Sequence, residues 1–432
     1  MSDAFAATAI TAWRGAGRLM SPALQLLLAL RTRAGKEDAA RRGERLGLAA
    51  RPRPAGGLVW VHAASVGETV SILPLIERLT ARGLGVLLTT GTVTSAAIAA
   101  TRLPAGAVHQ YVPLDVAPWI GRFLDHWRPG LAIFVESEIW PTTVVELSRR
   151  GIPQVLVNAR MSERSFGRWR ASGGIARALF GRLTLALAQA EGDGERLARL
   201  GVGRVEITGN LKFDGRALDV DAGELARLAA LIEGRPRWLA ASTHPGEEAI
   251  AADAHAALAA RRAGLLTILA PRHPQRGDEI RALMEAHGLR VASRSRGEDP
   301  TSATDVWLAD TIGEMGLLYR LSEVAFVGGT ITPRGGQNPI EPARLDVAVV
   351  HGPSTHNFRD VYRDFDGNGG ARAIEGGDAL ASAIDELLGE EATRAAQIAA
   401  ARAVIERSTG ALERLLAALE PHLAPLAAER AP

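Results

Sequence analysis

The 432-residue chain contains no cysteine, which removes disulfides, thiolate catalysis, iron–sulfur clusters and cysteine zinc sites at once. Its ten histidines show no HExxH or HxxxH spacing, so no sequence signature of a built-in zinc site is present. Neither a Walker A sequence nor a GxGxxG after the first candidate strand occurs, and ATP hydrolysis and dinucleotide oxidoreduction lose their usual support. Charge of one sign is also lacking overall: the formal net charge is +2. The mostly apolar stretch Leu19 to Leu30 covers only 12 residues and is interrupted by Ser21, Pro22 and Gln25. A bilayer span needs about 20 apolar residues, so this stretch is too short to cross unaided. Arg31, Arg33 and Lys36 follow it with no small-residue cleavage site, which argues against a secretion signal.

Apolar residues make up 47% and charged residues 23%, the composition of a folded globular protein. The length predicts two domains rather than one core. Charge is unevenly spread, because residues 1–54 hold ten Arg and Lys against Asp3, Glu37, Asp38 and Glu44, a net +6. That basic, apolar segment reads as an interfacial anchor whose arginines hold anionic lipid, or as a helix packed on the domain behind it. A nucleic-acid partner is disfavoured, since the positive excess is confined to this segment and lacks interleaved aromatics.

From Leu58 onward, short apolar runs alternate with amphipathic stretches. Candidate strands are 58–62, 86–90, 131–135, 154–158 and 183–188, with helices between them over 70–79, 142–150 and 190–200. Such runs suit strands buried on both faces of a parallel sheet. The pattern restarts at 238–241, 265–270, 306–308, 324–327 and 347–350. The break near Glu233-Gly-Arg-Pro-Arg237 marks the expected boundary, giving an N-terminal segment 1–54, a first Rossmann-like domain 55–232 and a second 233–432. Two doubly wound α/β domains predict a cleft between the carboxyl ends of two sheets. The helical stretch after Leu380 reads as surface helices of the second domain.

Val59-Trp-Val-His-Ala-Ala-Ser-Val-Gly-Glu-Thr69 sets a carboxylate just past the first strand, at a helix start. Glu68 there is expected to stay ionised among converging N–H groups and can take a proton from an acceptor hydroxyl. The same residues also spell an S-x-x-E capping box with Ser65 as N-cap. Phe134-Val-Glu-Ser-Glu-Ile-Trp-Pro141 follows another strand, and an extended backbone turns Glu136 and Glu138 to one side. One of the two is expected to pair with an arginine such as Arg160. Lys212, in Thr208-Gly-Asn-Leu-Lys-Phe-Asp214, is either a phosphate-neutralising cation or a surface lysine.

The second half carries groups suited to a nucleotide. Arg272 follows a strand and offers a phosphate or base contact, and Asp310-Thr-Ile-Gly-Glu-Met315 leads into a helix start. Val327-Gly-Gly-Thr330 and Gly335-Gly-Gln-Asn-Pro-Ile-Glu341 form a glycine-rich stretch that ends on a carboxylate able to hold ribose hydroxyls. Two DxD tripeptides, Asp219-Val-Asp221 and Asp364-Phe-Asp366, do not directly follow candidate strands, where a metal bridging donor phosphates would need them. Phosphate charge is then met by Arg, Lys and helix dipoles, which favours a metal-independent transferase.

Eight blocks in order, Ser65-Val-Gly-Glu68, Glu136-Ser-Glu-Ile-Trp-Pro141, Asn158-Ala-Arg-Met-Ser162, Gly209-Asn-Leu-Lys-Phe-Asp214, Ser242-Thr-His-Pro-Gly-Glu247, Pro271-Arg-His-Pro274, Gly328-Gly-Thr330 and Asn338-Pro-Ile-Glu341, resemble the 3-deoxy-D-manno-oct-2-ulosonic acid (Kdo) transferases of lipopolysaccharide assembly. The resemblance runs over nearly the whole chain. It implies a GT-B glycosyltransferase fold and no cofactor, with CMP-Kdo on the C-terminal domain and a lipid A precursor on the N-terminal one. By the same resemblance Glu68 matches the general base, and Glu136 and Lys212 match positions that stabilise the transition state. Pro271, Arg272, Ile312, Gly313, Glu314, Asn338, Pro339, Ile340 and Glu341 match positions that bind CMP. Ile312 stands where many members carry methionine, and Gln337 where many carry histidine. The resemblance also implies a place on the cytoplasmic face of the inner membrane, with the N-terminal segment as the membrane-associated helix.

Overall fold

The computed structural model describes residues 3–215 and 217–428. It divides into two compact units, Met1–Gly215 with Thr409–Pro432, and Arg216–Ser408. Each is built on a seven-stranded sheet. In the first unit the strands are β1 (Leu58–Ala63), β2 (Gly85–Thr90), β3 (Ala107–Tyr111), β4 (Leu131–Val135), β5 (Gln154–Ala159), β6 (Leu185–Ala188) and β7 (Val205–Ile207). They lie in the order β3-β2-β1-β4-β5-β6-β7 and pair in parallel throughout. In the second the strands are β8 (Arg237–Thr243), β9 (Leu266–Pro271), β10 (Val291–Ser293), β11 (Val306–Leu308), β12 (Val324–Val327), β13 (Ala348–His351) and β14 (Arg372–Ala373). Their order is β10-β11-β9-β8-β12-β13-β14, again parallel.

Parallel strands need crossover helices on both faces, and this is why the central strands are apolar without alternation. In β1, Leu58 and Trp60 pack on one face with Phe123, Trp127 and Phe134. Val59, Val61 and Ala63 pack on the other with Ile72, Leu75 and Leu79. Full burial of such a side chain contributes about 1.5–3 kcal/mol. Trp60 keeps its indole N–H satisfied by donating to Thr89 Oγ1 at 2.8 Å. The second sheet is likewise covered on both faces, by Trp238, Ala251, Leu258 and Ile384 on one and Leu228, Ile232, Leu317 and Leu321 on the other. These two doubly wound α/β units are the architecture expected from the alternating runs.

The unit boundary falls at Gly215 rather than at the Glu233 to Arg237 break. The helix Ala222–Leu231 explains the difference, since Leu228 and Ile232 are buried against the second sheet. The chain end also differs from the expected surface helices of the second domain. Helix Ala411–Ala428 puts Leu415, Leu416, Leu419, Leu423 and Leu426 into the core of the first sheet. Its approach leaves no room for a Cβ at Gly57, which would meet Leu426 O at 2.3 Å. Asp214 ties this helix down, accepting the N–H of Gly410 at 2.6 Å and that of Leu412.

The N-terminal residues form helices Asp3–Leu19 and Ser21–Arg33. Ile10 packs with Val144, Val145 and Leu179, and Arg14 ion-pairs with Glu146. Phe5, Trp13, Leu19, Met20, Leu26, Leu27 and Leu30 remain exposed. Among the described residues no helix is long and apolar enough to cross a membrane.

Candidate active site

The loop after β1 places Glu68 in the first turn of helix Val66–Ala81. Ser65 is the N-cap: its Oγ accepts the N–H of Glu68 at 3.3 Å and donates back to Glu68 Oε1 at 2.8 Å. The other carboxylate oxygen accepts the N–H of Ala64 at 2.8 Å. The capping box therefore forms, shifted by one residue, since the carboxylate reaches the residue before the N-cap. Burial raises the Glu68 pKa to about 7, helped by the charges of Glu136 and Glu138 and opposed by the bonds from Ala64 and Ser65. The expectation that the helix start holds this group fully ionised is corrected by that balance, because desolvation outweighs the N–H groups. A carboxylate titrating near neutral pH is matched to general-base work.

Glu136 follows β4 directly with φ +60°, a left-handed conformation rare outside glycine. The backbone is thus not extended across Glu136 and Glu138, and the two side chains part company. Glu136 pairs with Lys212 at 3.4 Å, while Glu138 accepts the indole N–H of Trp140 at 2.8 Å. Asp115 anchors the following helix, Pro141–Arg149, by accepting the N–H groups of Thr142 and Thr143 at 2.9 and 2.8 Å.

Lys212 is no surface lysine, with its side chain 16% exposed. It sits in the turn Leu211–Asp214, held from two sides. Buried Asn158, at φ +49°, accepts the N–H of Leu211 at 3.0 Å, and Asn210 accepts that of Lys212 at 3.0 Å. Residues far apart in the chain thus bring Glu68, Glu136, Glu138 and Lys212 together on the first unit.

On the second unit, Pro271 ends β9, and the N–H of Arg272 donates to Thr243 O at 2.9 Å. Asn338 Nδ2 donates to Glu341 at 3.2 Å. Burial pushes the Glu341 carboxyl up, against the bond from Asn338 and the positive charge of Arg272. Arg272, Asn338 and Glu341 therefore converge. Ile312, Gly313 and Glu314 follow β11, the neighbour of β9, with Ile312 88% exposed and Gly313 at φ +90°. The Glu314 carboxylate is committed to Arg294 at 2.8 Å, which holds its pKa below the usual range. What this loop offers a ligand is its backbone.

Two site-building residues carry no signal in the spacing of charges. Glu247 is wholly buried and accepts four backbone N–H groups, those of Gly329, His244, Ile331 and Thr332, at 2.7, 3.0, 3.0 and 3.2 Å. It ties the glycine-rich loop to the end of β8. Gly328 is required there, since a Cβ would lie 2.5 Å from Ser242 O. The second is His62 on β1, buried with a ring nitrogen 3.9 Å from Glu138.

One carboxylate of each DxD has structural work. Asp221 caps helix Ala222–Leu231 by accepting the N–H of Glu224 at 2.9 Å, and Asp366 bonds His351 at 2.8 Å. Among the described residues no group of three or more His, Cys, Asp or Glu is placed to hold a metal ion.

The family model of the 3-deoxy-D-manno-octulosonic-acid transferases matches residues 40–215, the unit that carries Glu68, Glu136 and Lys212. The 3-deoxy-D-manno-octulosonic acid transferase of Bordetella pertussis is 40% identical over 83% of this chain and 86% of its own length. The chain belongs to the Kdo transferase family. That of Haemophilus influenzae is 36% identical, over 81% of this chain and 82% of its own. A solved glycosyltransferase from Rickettsia africae shares the fold, with TM-score 0.57 at 12% identity over 85% of this chain and 99% of that one. The protein is thus an enzyme of Kdo transfer in lipopolysaccharide synthesis, with a fold that a solved glycosyltransferase shares.

Proposed function

We propose that the enzyme transfers Kdo from CMP-Kdo to a tetraacylated lipid A precursor, lipid IVA, by one inverting displacement without a metal ion. Glu68 acts as general base. The acceptor oxygen bonds to the anomeric carbon while the bond from that carbon to the CMP phosphate breaks on the opposite face. The hydroxyl proton passes to Glu68, and the electron pair leaves with CMP. Glu136 and Lys212 stabilise charge in the transition state. The loops bearing Pro271, Arg272, Ile312 to Glu314 and Asn338 to Glu341 hold CMP.

One observation carries this reading: a carboxylate poised at about 7, next to two further carboxylates, at a strand end where ligands of such sheets bind. The exposed apolar side chains of the N-terminal helices and their flanking arginines support a place on the cytoplasmic face of the inner membrane, where a lipid acceptor resides. Mass spectrometry of the lipid precursor after incubation with CMP-Kdo tests the assignment. A gain of one or more Kdo units that disappears in Glu68→Ala, with CMP still bound, is the expected result. Full turnover in that variant would remove Glu68 from the mechanism.

A further inference from the structure

His62 lies one residue from the end of β1, and its side chain is 1% exposed. Its Nδ1 is 3.1 Å from the carbonyl oxygen of Thr89 and 3.0 Å from Thr89 Oγ1. A carbonyl only accepts, so Nδ1 carries the hydrogen and the neutral ring turns its lone pair out through Nε2. Burial keeps the ring neutral, with its pKa lowered to about 4.

That Nε2 is buried and has no hydrogen-bond partner among the described residues. The group it faces is Glu138, whose Oε2 lies 3.9 Å away and already accepts the Trp140 indole N–H. Two acceptors thus face each other at a distance too long for a direct bond. An orphaned buried acceptor is destabilising, and an apolar side chain would avoid that cost. Glu138 in turn is close enough to Glu68 for its charge to act there. The pair therefore belongs to the same cluster of carboxylates as the base.

We propose that His62 Nε2 and Glu138 form a positioning pair that accepts hydrogen bonds from hydroxyl groups of the acceptor sugar next to the one Glu68 deprotonates. This rests on the reading of Glu68 as base. It assigns the acceptor's ring orientation to two residues that do not touch the reacting atoms. A polyol is the ligand class that fits, because it brings donors where two acceptors wait.

Two variants separate recognition from folding. His62→Asn keeps an amide N–H for Thr89 and deletes the acceptor at Nε2. Glu138→Gln keeps an oxygen at the Oε2 position for Trp140 while replacing the other acceptor oxygen and removing the charge, so it should leave the melting temperature little changed while weakening the pair as an acceptor. With CMP-Kdo and the tetraacylated lipid A precursor, each is expected to raise the acceptor KM by about fivefold to tenfold, the worth of one hydrogen bond, with most of the change in KM rather than kcat. CMP affinity should be unmoved. An acceptor KM unchanged in both variants, each shown folded by its melting temperature, overturns the pair and leaves His62 a core residue. Glu68→Ala is run alongside: turnover retained there, or no transfer by the unmodified protein, overturns the reading of the base and the pair with it.

Discussion

The two units solve the same folding problem and present opposite chemistry. Each buries a seven-stranded parallel sheet between two layers of helix, so that loops at the carboxyl ends of the strands are left to carry function. In the first unit those ends hold the carboxylates of Glu68, Glu136 and Glu138 near one lysine. In the second, the carboxylate at the corresponding turn after the unit's first strand, Glu247, is spent on four backbone N–H groups. What remains free there is arginine, glycine and main chain. Under the proposed mechanism one topology hosts a proton acceptor in the first unit and an anion cradle in the second, and the fate of the carboxylate after the first strand separates the two. In Glu68 burial leaves a group near neutrality, whereas in Glu247 the full set of donors makes a structural staple.

The sharpest way to break the comparison is to remove each carboxylate in turn. Glu68→Ala should lower transfer by about 10²–10⁴-fold, the usual worth of a general base, with CMP affinity and thermal stability little changed. Glu247→Ala should do the reverse. It orphans several buried N–H groups, costs about 2–4 kcal/mol of stability, and weakens CMP binding by about tenfold or more as the glycine loop loosens. Calorimetry and CMP titration on both variants check the pair. Equal effects of the two substitutions on CMP affinity would dissolve the distinction.

Much of this was legible in the residues. The ten strands expected from continuous apolar runs are all present. The four without such a run, β3, β7, β10 and β14, are the edges of the two sheets. An edge strand is covered on fewer sides, so it has no need of an unbroken apolar run; β14 is exposed at both residues. The last helix was illegible for another reason. Its alternation of leucine with charge suits a surface, and only the return of the chain to the first unit buries Leu415, Leu419 and Leu423. In the site, Glu68, Glu136 and Lys212 could be found from their places after strands. The left-handed turn at Glu136 and the buried His62 could not, since both depend on contacts made across the fold.

The first unit also differs from the second in its exposed apolar surface. Trp13 is 59% exposed and Leu26 64%, on helices flanked by arginine. If these helices lie on anionic lipid, replacing both residues by serine should weaken binding to phosphatidylglycerol vesicles by about tenfold, and high salt should weaken it further. Flotation with zwitterionic vesicles as the control reads this directly. Unchanged flotation of the double variant would assign these helices to packing alone.

The smallest expected effect is the most specific to the first unit. A general base must be ionised, so with Glu68 at about 7 the rate should fall tenfold per unit as pH drops below 7 and level off above it. Among the causes that raise this pKa, burial comes first, and the charge of Glu136 exceeds that of Glu138. Glu136→Gln removes one negative neighbour and leaves burial intact, so the limb of the kcat/KM profile should move to lower pH by less than the full shift. Stability carries the same sign in another form. A folded pKa above the ordinary 4.5 means that the folded protein binds more protons than the unfolded chain between pH 4.5 and about 7. Stability contributed by this group therefore declines across that window and stays low above it. Glu68→Gln should melt higher than the unmodified protein above pH 7, and the gap should close below pH 4.5. A gap of constant size across pH 4.5 to about 8 would remove the titration of Glu68 from this account.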